Sequence, residues 1–395
     1  MLQKTKNKAL QKPRSREVPD KTRIFLFVRA GGRCQFDGCN RYLIEHHLTK
    51  DDGIFAQMAH IWAFGDSGPR ANSALKGREV HALSNLMLLC PGCHKLVDDH
   101  EERYTVEVLR AFKKAHEDRV FSLTDTKPDR HTVAVSLKAQ VGGQAVAVSL
   151  EEMQEAVAPR YVGARDVLQI DLTAFQDRPS EAFWDVAAAE VRLRAQRVYT
   201  EHFEGGLARH VSVFALAPIP LLVVLGRSLS SKVPTTLYQR HRDTESWKWK
   251  PGGEPVKFAN RVVRSGTDPS RVALLLSLSG RIPHENLPDH VDERFSVYEM
   301  TLQGVEPGVS FLRHEASLHE FRGRFMKVVA QLLVDHGGLE RIHLFPAVPA
   351  PVAVAIGRDL LPKRDPILTV YDFDKRARGD AFVRTIDVNG DEENE

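Results

Sequence analysis

Cysteine is scarce in this chain and is confined to one stretch of it. The 395 residues include four cysteines, at positions 34, 39, 90 and 93, and the long remainder of the chain has none. A disulfide framework would distribute its cysteines more widely, and disulfides are rare in the cytoplasm. The clustering therefore predicts a single metal site.

Long apolar runs are lacking too. The longest uncharged apolar stretch, VSVFALAPIPLLVVLG at 211–226, is shorter than the roughly 20 residues that span a bilayer. It is also interrupted by Pro218 and Pro220. The N-terminal MLQKTKNKALQKPRSR has no apolar core of a secretory signal. We therefore expect a cytoplasmic protein that contacts no membrane.

Positive charge is concentrated at one end of the sequence. The net charge is +3, yet residues 1–23 alone carry eight lysines and arginines against Glu17 and Asp20. Such an arm is either a disordered, solubilising tail or an arm that contacts the phosphates of a nucleic acid. The sequence leaves both interpretations open.

The length exceeds what one hydrophobic core organises, so at least two domains are expected. Residues 24–120 are typical of a compact α+β unit. One helix is predicted to end at Gly31-Gly32, a second to follow Thr105 as its N-cap, and short apolar runs between them suit a small β-hairpin. The polar, proline-containing residues 121–131 are the predicted linker.

The pattern then changes to that of an α/β domain. Alternating apolar residues on both sides of the Gly142-Gly143 pair predict two strands joined as a hairpin, and an amphipathic helix is expected to follow Ser180 as its cap. The order strand, Pro-x-Pro turn, helix, strand then occurs twice, around residues 210–243 and 341–374.

We interpret this recurrence as a duplication. The segments HVSVFALAPIPLLVVLGRSLSSK and RIHLFPAVPAPVAVAIGRDLLPK, 131 positions apart, keep Pro-x-Pro, Gly-Arg and Lys in register. Two such halves predict parallel sheets with helices packed on them. The identical pairs are Phe214/Phe345, Pro218/Pro349, Pro220/Pro351, Val223/Val354, Gly226/Gly357, Arg227/Arg358, Leu229/Leu360 and Lys232/Lys363.

The cysteines form two knuckles, Cys34-x4-Cys39 and Cys90-x2-Cys93, which together supply the four soft ligands of a closed tetrahedral zinc site. Because such a site has no open position for water, its expected role is structural. Any chemistry must then come from residues that the zinc helps to position.

Those neighbours are present. His94 follows the last cysteine and Asp98 lies one helical turn further on, so both are expected to face the same way on a short helix. Asn85 is predicted at the start of a strand, and His60 on an earlier strand. Histidine, asparagine and histidine in this order, in AQMAHI and LSNLMLLCPGCHKLVDD, resemble the HNH (ββα-metal) nuclease family over about residues 24–120.

The resemblance implies a phosphodiesterase mechanism. His60, as the neutral imidazole, takes a proton from the attacking water; Asn85 braces the loop that carries His60; and His94 holds a catalytic magnesium ion. In the family an Asp often precedes the first histidine as a further ligand, whereas here Ala59 does. The resemblance therefore leaves that ligand to Gln57, Asp98 or a water.

A non-catalytic interpretation remains open. The unit could be a zinc-stabilised finger that binds DNA or protein, with His60 as a hydrogen-bonded histidine of the core. The other histidines before the linker are expected to be surface or packing groups: His46, His47, His81, His100 and His116.

The duplicated half offers a ligand site. Open α/β folds bind ligands in the crevice beyond the carboxyl ends of their strands, and helices that start at the Pro-x-Pro turns present N-terminal amides suited to phosphate. The repeated Arg227, Arg358, Lys232 and Lys363 suit a ligand with two phosphates. The two arginines could equally cap the C-terminal carbonyls of their helices.

Aromatic residues cluster in LYQRHRDTESWKWKP at 237–251. Tyr238, Trp247 and Trp249 are predicted to stack on a base, and Tyr371 ends the corresponding extended segment of the second copy. Alternatively, the two tryptophans form one face of a strand that packs into the core. We favour the ligand pocket for one of the two.

The segments FALAPIPLLVVLGRSL, ALLLSLSGRI and HLFPAVPAPVAVAIGRDLLPKRDPILTVYD resemble the SAVED sensor domain over about residues 160–395. The resemblance implies two fused CARF-like, Rossmann-like halves that bind a cyclic di- or trinucleotide. HNH joined to SAVED resembles the effectors of bacterial cyclic-oligonucleotide antiphage (CBASS) systems. It implies a cytoplasmic enzyme that its messenger assembles, from dimer to tetramer, into an active form that degrades double-stranded DNA.

The predicted architecture is a basic arm (1–23), an α+β HNH domain with a four-cysteine zinc site (24–120), a linker (121–131) and an α/β SAVED domain (132–395). A competing hypothesis is a zinc-containing, nucleotide-sensing DNA-binding regulator without nuclease activity.

Overall fold

The chain divides into two compact units, residues 1–126 and residues 127–395. The basic arm lies outside the described residues over 1–16, as do the Gly142-Gly143 turn, the Ser180 cap and Lys232. The computed structural model describes residues 17–65, 68–71, 79–125, 127–140, 147–174, 181–203, 209–229, 231, 233–374 and 381–390.

In the described residues, the N-terminal unit packs helices around a two-stranded antiparallel sheet. Both strands were expected, but a long connection joins them rather than a tight hairpin turn. Their apolar side chains form one core with the first and third helices, in which Leu26 and the whole second strand are fully buried. The elements are α1 (Asp20–Ala30), β1 (Gln57–His60), β2 (Leu86–Leu89), α2 (Pro91–Asp99) and α3 (Val106–Thr124).

Two helix boundaries predicted from the sequence are confirmed. Helix α1 ends at Gly31, which takes the left-handed conformation (φ 60°) that glycine adopts without steric cost. Helix α3 starts after Thr105, whose side chain accepts a hydrogen bond from the Val108 amide. Helix α2 starts in the same way, because the Cys90 side chain accepts from the Cys93 amide.

The C-terminal unit contains two sheets, one of four strands and one of six. Its first elements are β3 (Val133–Lys138), α4 (Leu150–Val157), β4 (Val167–Asp171), α5 (Glu181–Arg197), β5 (Val211–Leu216), α6 (Ile219–Leu229) and β6 (Thr235–Tyr238). Its remaining elements are β7 (Phe258–Arg264), β8 (Val272–Ser277), β9 (Ser296–Leu302), α7 (Glu315–Asp335), β10 (Arg341–Ala347), α8 (Ala350–Asp359), β11 (Ile367–Asp374) and β12 (Ala381–Val388).

The strand order of the first sheet recurs within the second, over a longer stretch of chain than the sequence repeat indicated. The first sheet has the order β4-β3-β5-β6, and the second contains the same arrangement as β9-β8-β10-β11, with all neighbours parallel in both. The second sheet adds antiparallel edge strands, β12 and β7. Helices α5 and α7 occupy corresponding places in the chain order, as do α6 and α8.

The strand hairpin predicted around the Gly142-Gly143 pair is wrong. Strand β3 is followed by helix α4, which starts at Ser149 with a capping box: the Ser149 side chain accepts from the Glu152 amide, and the Glu152 carboxylate accepts from the Ser149 amide. The neighbours of β3 are β4 and β5, both parallel. The first alternating run is β3, a strand buried on both faces. The second run lies partly outside the described residues and ends at the cap of α4.

The two halves meet through α6 and α8, whose backbones come into direct contact. A Cβ atom added to Gly226 would overlap the carbonyl of Val354, and one added to Gly357 would overlap the carbonyl of Val223. These four residues form two corresponding pairs in the duplicated segments. The contact is therefore reciprocal, and it explains why both copies have glycine at this position.

We predict that Gly357→Ala destabilises the C-terminal unit by at least ~2 kcal/mol, because the added methyl group must separate two packed backbones. Gly323→Ala is the matched control. Gly323 lies inside α7 with no atom near its would-be Cβ, so alanine there should stabilise by up to about 1 kcal/mol. Urea denaturation of the full chain measures the free energy of unfolding of both variants. Similar changes from the wild-type value in the two variants would refute the backbone contact.

Candidate active site

The four cysteines converge on one point of the N-terminal unit. The Sγ atoms of Cys34, Cys39, Cys90 and Cys93 all lie within 4.8 Å of one another. Two of them, Cys39 and Cys90, are 4.0 Å apart, close to the ~3.8 Å that Zn–S bonds of about 2.3 Å impose in a tetrahedron. Two backbone amides point at the sulfurs, from Cys90 to Cys34 at 3.3 Å and from Cys93 to Cys90 at 3.4 Å. The donor set and geometry fit a closed zinc site.

Because the cysteines are shielded from water, their thiolate forms are favoured only when a positive charge lies next to them. Desolvation raises the pKa of Cys34 to about 12 and also raises the pKa of Cys93. For Cys90, burial acts in the same direction but is outweighed by hydrogen bonds from Cys93 and the neighbouring thiols, which lower its pKa. A divalent cation would favour the thiolate form at all four positions.

His60 ends strand β1 beside the first residues of a loop. Burial lowers the pKa of its imidazole to about 4, and the nearby His81 and His94 contribute to this shift. The ring is therefore neutral at pH 7 and able to accept a proton. The prediction that His60 lies on a strand is confirmed.

Asn85 holds the chain directly after His60. Its buried side chain accepts a hydrogen bond from the Trp62 amide at 2.8 Å and donates to the Trp62 carbonyl at 3.1 Å and to the Val80 carbonyl at 2.9 Å. Its own carbonyl accepts from the Ile61 amide at 2.9 Å. These bonds brace the loop that follows β1, which is the role that the family resemblance implies for Asn85.

Arg70 is a second brace, and the sequence did not indicate it. Its side chain is 5% exposed; Nε donates to the Ile61 carbonyl at 3.0 Å and a guanidinium nitrogen to the Val97 carbonyl at 2.7 Å. The other guanidinium nitrogen donates to Asp98 Oδ1 at 2.8 Å. Arg70 thus ties the end of β1 to the end of α2, in a loop where no periodic pattern could have revealed it.

His94 and Asp98 face the same way on α2, as predicted. Asp98 Oδ2 lies 3.5 Å from His94 Nδ1, which orients the ring so that Nε2 is available to a ligand. The other Asp98 oxygen accepts from Arg70, so the carboxylate lies between His94 and Arg70. Gln57, the other residue considered as a metal ligand, begins β1, about 10 Å along the strand from His60 and on the opposite face.

His81 was expected to be a surface or packing residue, but the structure places it against His60. His81 Nδ1 lies 3.4 Å from His60 Nε2, and Phe64 packs near both rings. In a hydrogen bond between them only one of the two nitrogens carries the proton, so the contact couples the tautomer of His60 to that of His81. No sequence signal links residues 21 positions apart across a loop.

Two aromatic residues predicted to stack on a ligand are instead core residues. Trp247 is 2% exposed and packs edge-on against Phe214. Tyr371 is 1% exposed, stacks on Phe345, and its hydroxyl lies 2.8 Å from His290 Nε2 and 2.9 Å from His343 Nδ1. Their apolar surfaces are already occupied by protein, which corrects both predictions.

Tyr238 and Trp249 do line a cavity of the C-terminal unit. Tyr238 stacks on Phe214 with centroids 4.6 Å apart, so one of its faces is taken. The indole Nε1 of Trp249 donates to the Leu237 carbonyl at 3.1 Å, which fixes its ring. Of the two tryptophans, one lines a pocket and the other is in the core.

The repeated arginines bind the opposite half of the unit. Arg227 Nε donates to Asn389 Oδ1 at 3.2 Å, and Arg358 donates to the Val233 carbonyl at 2.8 Å. Both lie in the last turns of their helices, about 12 Å from the helix N-termini where phosphate was expected. This corrects their assignment to a phosphate site at those termini. Lys363 follows α8 at the same end and is exposed.

Comparison with known proteins identifies two matches within the chain. Residues 34–101 match the model of the HNH endonuclease family. Residues 194–388 match the SAVED model, the SMODS-associated and fused to various effectors sensor domain. No curated protein matches the chain. None of the helices in the described part of the chain combines the length and the hydrophobicity of a membrane span.

Solved structures of Cap4 SAVED/CARF-domain containing receptors are similar to the chain. The Acinetobacter baumannii receptor with the cyclic trinucleotide 3'3'3'-cAAA is 11% identical, with a TM-score of 0.45 over 76% of this chain and 62% of the receptor. The same receptor with 2'3'3'-cAAA is 12% identical, with a TM-score of 0.44 over 79% and 64%. The Moraxella osloensis receptor is 12% identical, with a TM-score of 0.38 over 75% and 60%. The chain spans less than two thirds of these receptors.

We predict that Cys90→Ser lowers the zinc content of the purified chain and the melting temperature of the N-terminal unit. The reason is that Cys90 is both a ligand and the N-cap of α2. Ser122→Ala is the control, since it removes a hydroxyl on the exposed end of α3, far from the cysteines in sequence. Metal analysis together with calorimetry checks the prediction, and full zinc with an unchanged melting temperature in Cys90→Ser would contradict it.

Proposed function

We propose that this chain, which joins an HNH endonuclease domain to a SAVED sensor domain, is a DNA endonuclease that a cyclic oligonucleotide switches on. In this role it is an effector of a bacterial CBASS antiphage system. The observation that carries the catalytic part is the half-buried, neutral His60 near His94, on a strand end that Asn85 and Arg70 hold in place.

A divalent cation is proposed at His94 Nε2. Bound there, it would neutralise charge on the scissile phosphate and on the leaving oxygen. His94 would offer it an imidazole nitrogen, and the Asp98 carboxylate beside His94 accepts a hydrogen bond from Arg70. Imidazole suits nickel, zinc and iron better than magnesium, which carboxylates usually hold. The magnesium expected from the family is therefore compared with other divalent ions in the assay below.

His60 is proposed as the general base. Its imidazole is neutral over the physiological pH range, so it can take the proton of the attacking water without first losing one. His81 limits the rotation of the ring, and Asn85 with Arg70 limits movement of the backbone that carries it. The cysteine cluster, proposed to hold zinc, fixes the start of α2 and hence His94.

The sensor function is proposed for the duplicated unit. In each half the strand order reverses between the first and third strands, which are β3 and β5 in one half and β8 and β10 in the other. Such switch points are the usual ligand positions of open α/β sheets, and α6 and α8 begin directly after two of these strands. Two corresponding positions suit a cyclic di- or trinucleotide with repeated phosphates.

A plasmid assay tests this function. The full chain is incubated with plasmid and with magnesium, manganese, nickel or zinc in separate arms, with and without a panel of cyclic di- and trinucleotides. Cleavage that depends on one panel member supports the gated nuclease. Site-specific DNA binding without cleavage under every condition would favour the zinc-containing regulator.

We predict that His60→Ala lowers messenger-dependent cleavage by at least ~100-fold, since a positioned base contributes about that much. Messenger affinity and melting temperature should stay near the wild-type values. His47→Ala, an exposed histidine of the same unit, is the control and should cleave normally. A His60→Ala variant that keeps a tenth of the wild-type rate would remove His60 as the base.

We also predict that the messenger raises the mass of the particle, from a dimer to a tetramer if the resting form is dimeric. A ligand activates distant chemistry only by binding the active state more tightly than the silent one, and pairing of nuclease domains is the simplest active state for cutting both strands. Sedimentation velocity with and without messenger measures this. Full DNase activation at constant mass would exclude assembly as the switch.

A further inference from the structure

His81 contacts the proposed base from a separate segment of the N-terminal unit. His81 Nδ1 lies 3.4 Å from His60 Nε2, and the centroids of the two rings are 5.3 Å apart. Phe64 lies against both rings, with its centroid 5.8 Å from that of His60 and 5.5 Å from that of His81. The three rings therefore form one cluster, in which two nitrogen atoms face each other beside an apolar side chain.

One side chain fixes the backbone on both sides of this contact. Asn85 Nδ2 donates to the carbonyl of Trp62, two residues after His60, at 3.1 Å. It also donates to the carbonyl of Val80, directly before His81, at 2.9 Å. Both Asn85 and Val80 are buried. The fold therefore holds the two imidazoles next to each other.

The base role of His60 decides the direction of this hydrogen bond. A neutral imidazole carries one proton, and only its other nitrogen can accept a further one. If His81 donated to His60 Nε2, the proton of His60 would lie on Nδ1, and neither nitrogen could take a proton from water. His60 Nε2–H must therefore donate to His81 Nδ1, which leaves Nδ1 of His60 as the basic nitrogen.

His60 alone is a weak base. Burial, with smaller contributions from His81 and His94, lowers the pKa of its imidazole to about 4. A general base works best when its pKa is near the working pH. A proton taken up by His60 is therefore held weakly, and the positive charge is better placed on a second acceptor. His81 is half-buried and in hydrogen-bond contact with His60, so it offers that acceptor.

We propose that His81 is a proton relay behind His60 in the proposed cleavage of DNA, an inference that rests on that function. As water attacks the phosphorus, its proton passes to His60 Nδ1 while the proton on His60 Nε2 passes to His81 Nδ1. The electron pair of the broken P–O bond stays on the leaving oxygen. The positive charge ends on His81, which returns one proton to solvent before the next turnover. His81 touches no reacting atom, so it acts through His60 as a positioning residue.

Two variants separate the relay from simple support of the ring. His81→Asn places an amide oxygen near the position of Nδ1, which accepts the hydrogen bond of His60 Nε2–H but cannot take up its proton. We expect messenger-dependent plasmid cleavage to fall at least ~10-fold in both His81→Asn and His81→Ala. His47→Asn is the matched control, the same substitution at an exposed histidine of this unit, and should cleave at the wild-type rate. Melting curves establish that each variant is folded.

Added imidazole gives a readout that a structural role would not move. In His81→Ala the free base can occupy the vacated space and take up the proton, so imidazole should raise the cleavage rate at least about threefold. The rates of the wild type and of His47→Asn should not rise. Wild-type cleavage by folded His81→Asn, or no effect of imidazole on His81→Ala, would overturn the relay.

A measurement without DNA keeps the relay distinct from the nuclease function. Long-range ¹H–¹⁵N spectra of the full chain at pH 7 identify the protonated nitrogen of each histidine, and the spectrum of His60→Ala assigns the signals of His60. We expect His60 to be protonated at Nε2. Plasmid cleavage by a chain whose His60 is protonated at Nδ1 refutes the relay alone. Absence of wild-type cleavage under every condition refutes the nuclease and the relay together.

Discussion

The contact between the α6 and α8 backbones is the constraint on which the C-terminal unit depends. Gly226 and Gly357 let two apolar helices approach so closely that a Cβ atom on either glycine would overlap a carbonyl of the other helix. Each helix then lies between its own sheet and the opposite half, and almost all of its residues are buried. Arg227 and Arg358 reinforce the same junction by binding across it in opposite directions. One close approach therefore determines both the spacing and the relative orientation of the two sheets.

In the N-terminal unit a few polar residues fix the position of the chain around His60. A two-stranded sheet is too small to hold a catalytic side chain by apolar packing alone. Asn85 and Arg70 instead form hydrogen bonds with the backbone groups that follow β1. The cysteine cluster joins the start of α2 to the segment near Cys34. His60 is consequently placed by hydrogen bonds and by the contacts of the cysteine cluster more than by a core. This explains why its neighbours in space come from distant parts of the sequence.

Much of this organisation could be predicted from the sequence, because local chemistry determines it. The cap at Thr105, the glycine end of α1, the strand at His60 and the convergence of the cysteines all follow from short patterns. The recurrence was visible in the sequence because identical residues such as Gly226 and Gly357 stand at the contact of α6 and α8. The full four-strand repeat was not visible, since strands tolerate any apolar residue. Trp247 and Tyr371 were misassigned because an aromatic residue looks the same in a core and in a pocket. Arg70 and His81 act through contacts between distant segments, which no local pattern encodes.

The duplication also has a consequence for symmetry. Two identical subunits would present identical surfaces on both sides of their axis and would favour ligands that share that axis. Here the corresponding outer faces have diverged: α4 covers one sheet, while residues 278–295, which form no long helix, cover the other. Covalent fusion allowed each half to change independently. The unit therefore retains the internal geometry of a pair, while the surfaces that surround its two halves differ, so that no exact twofold axis relates them.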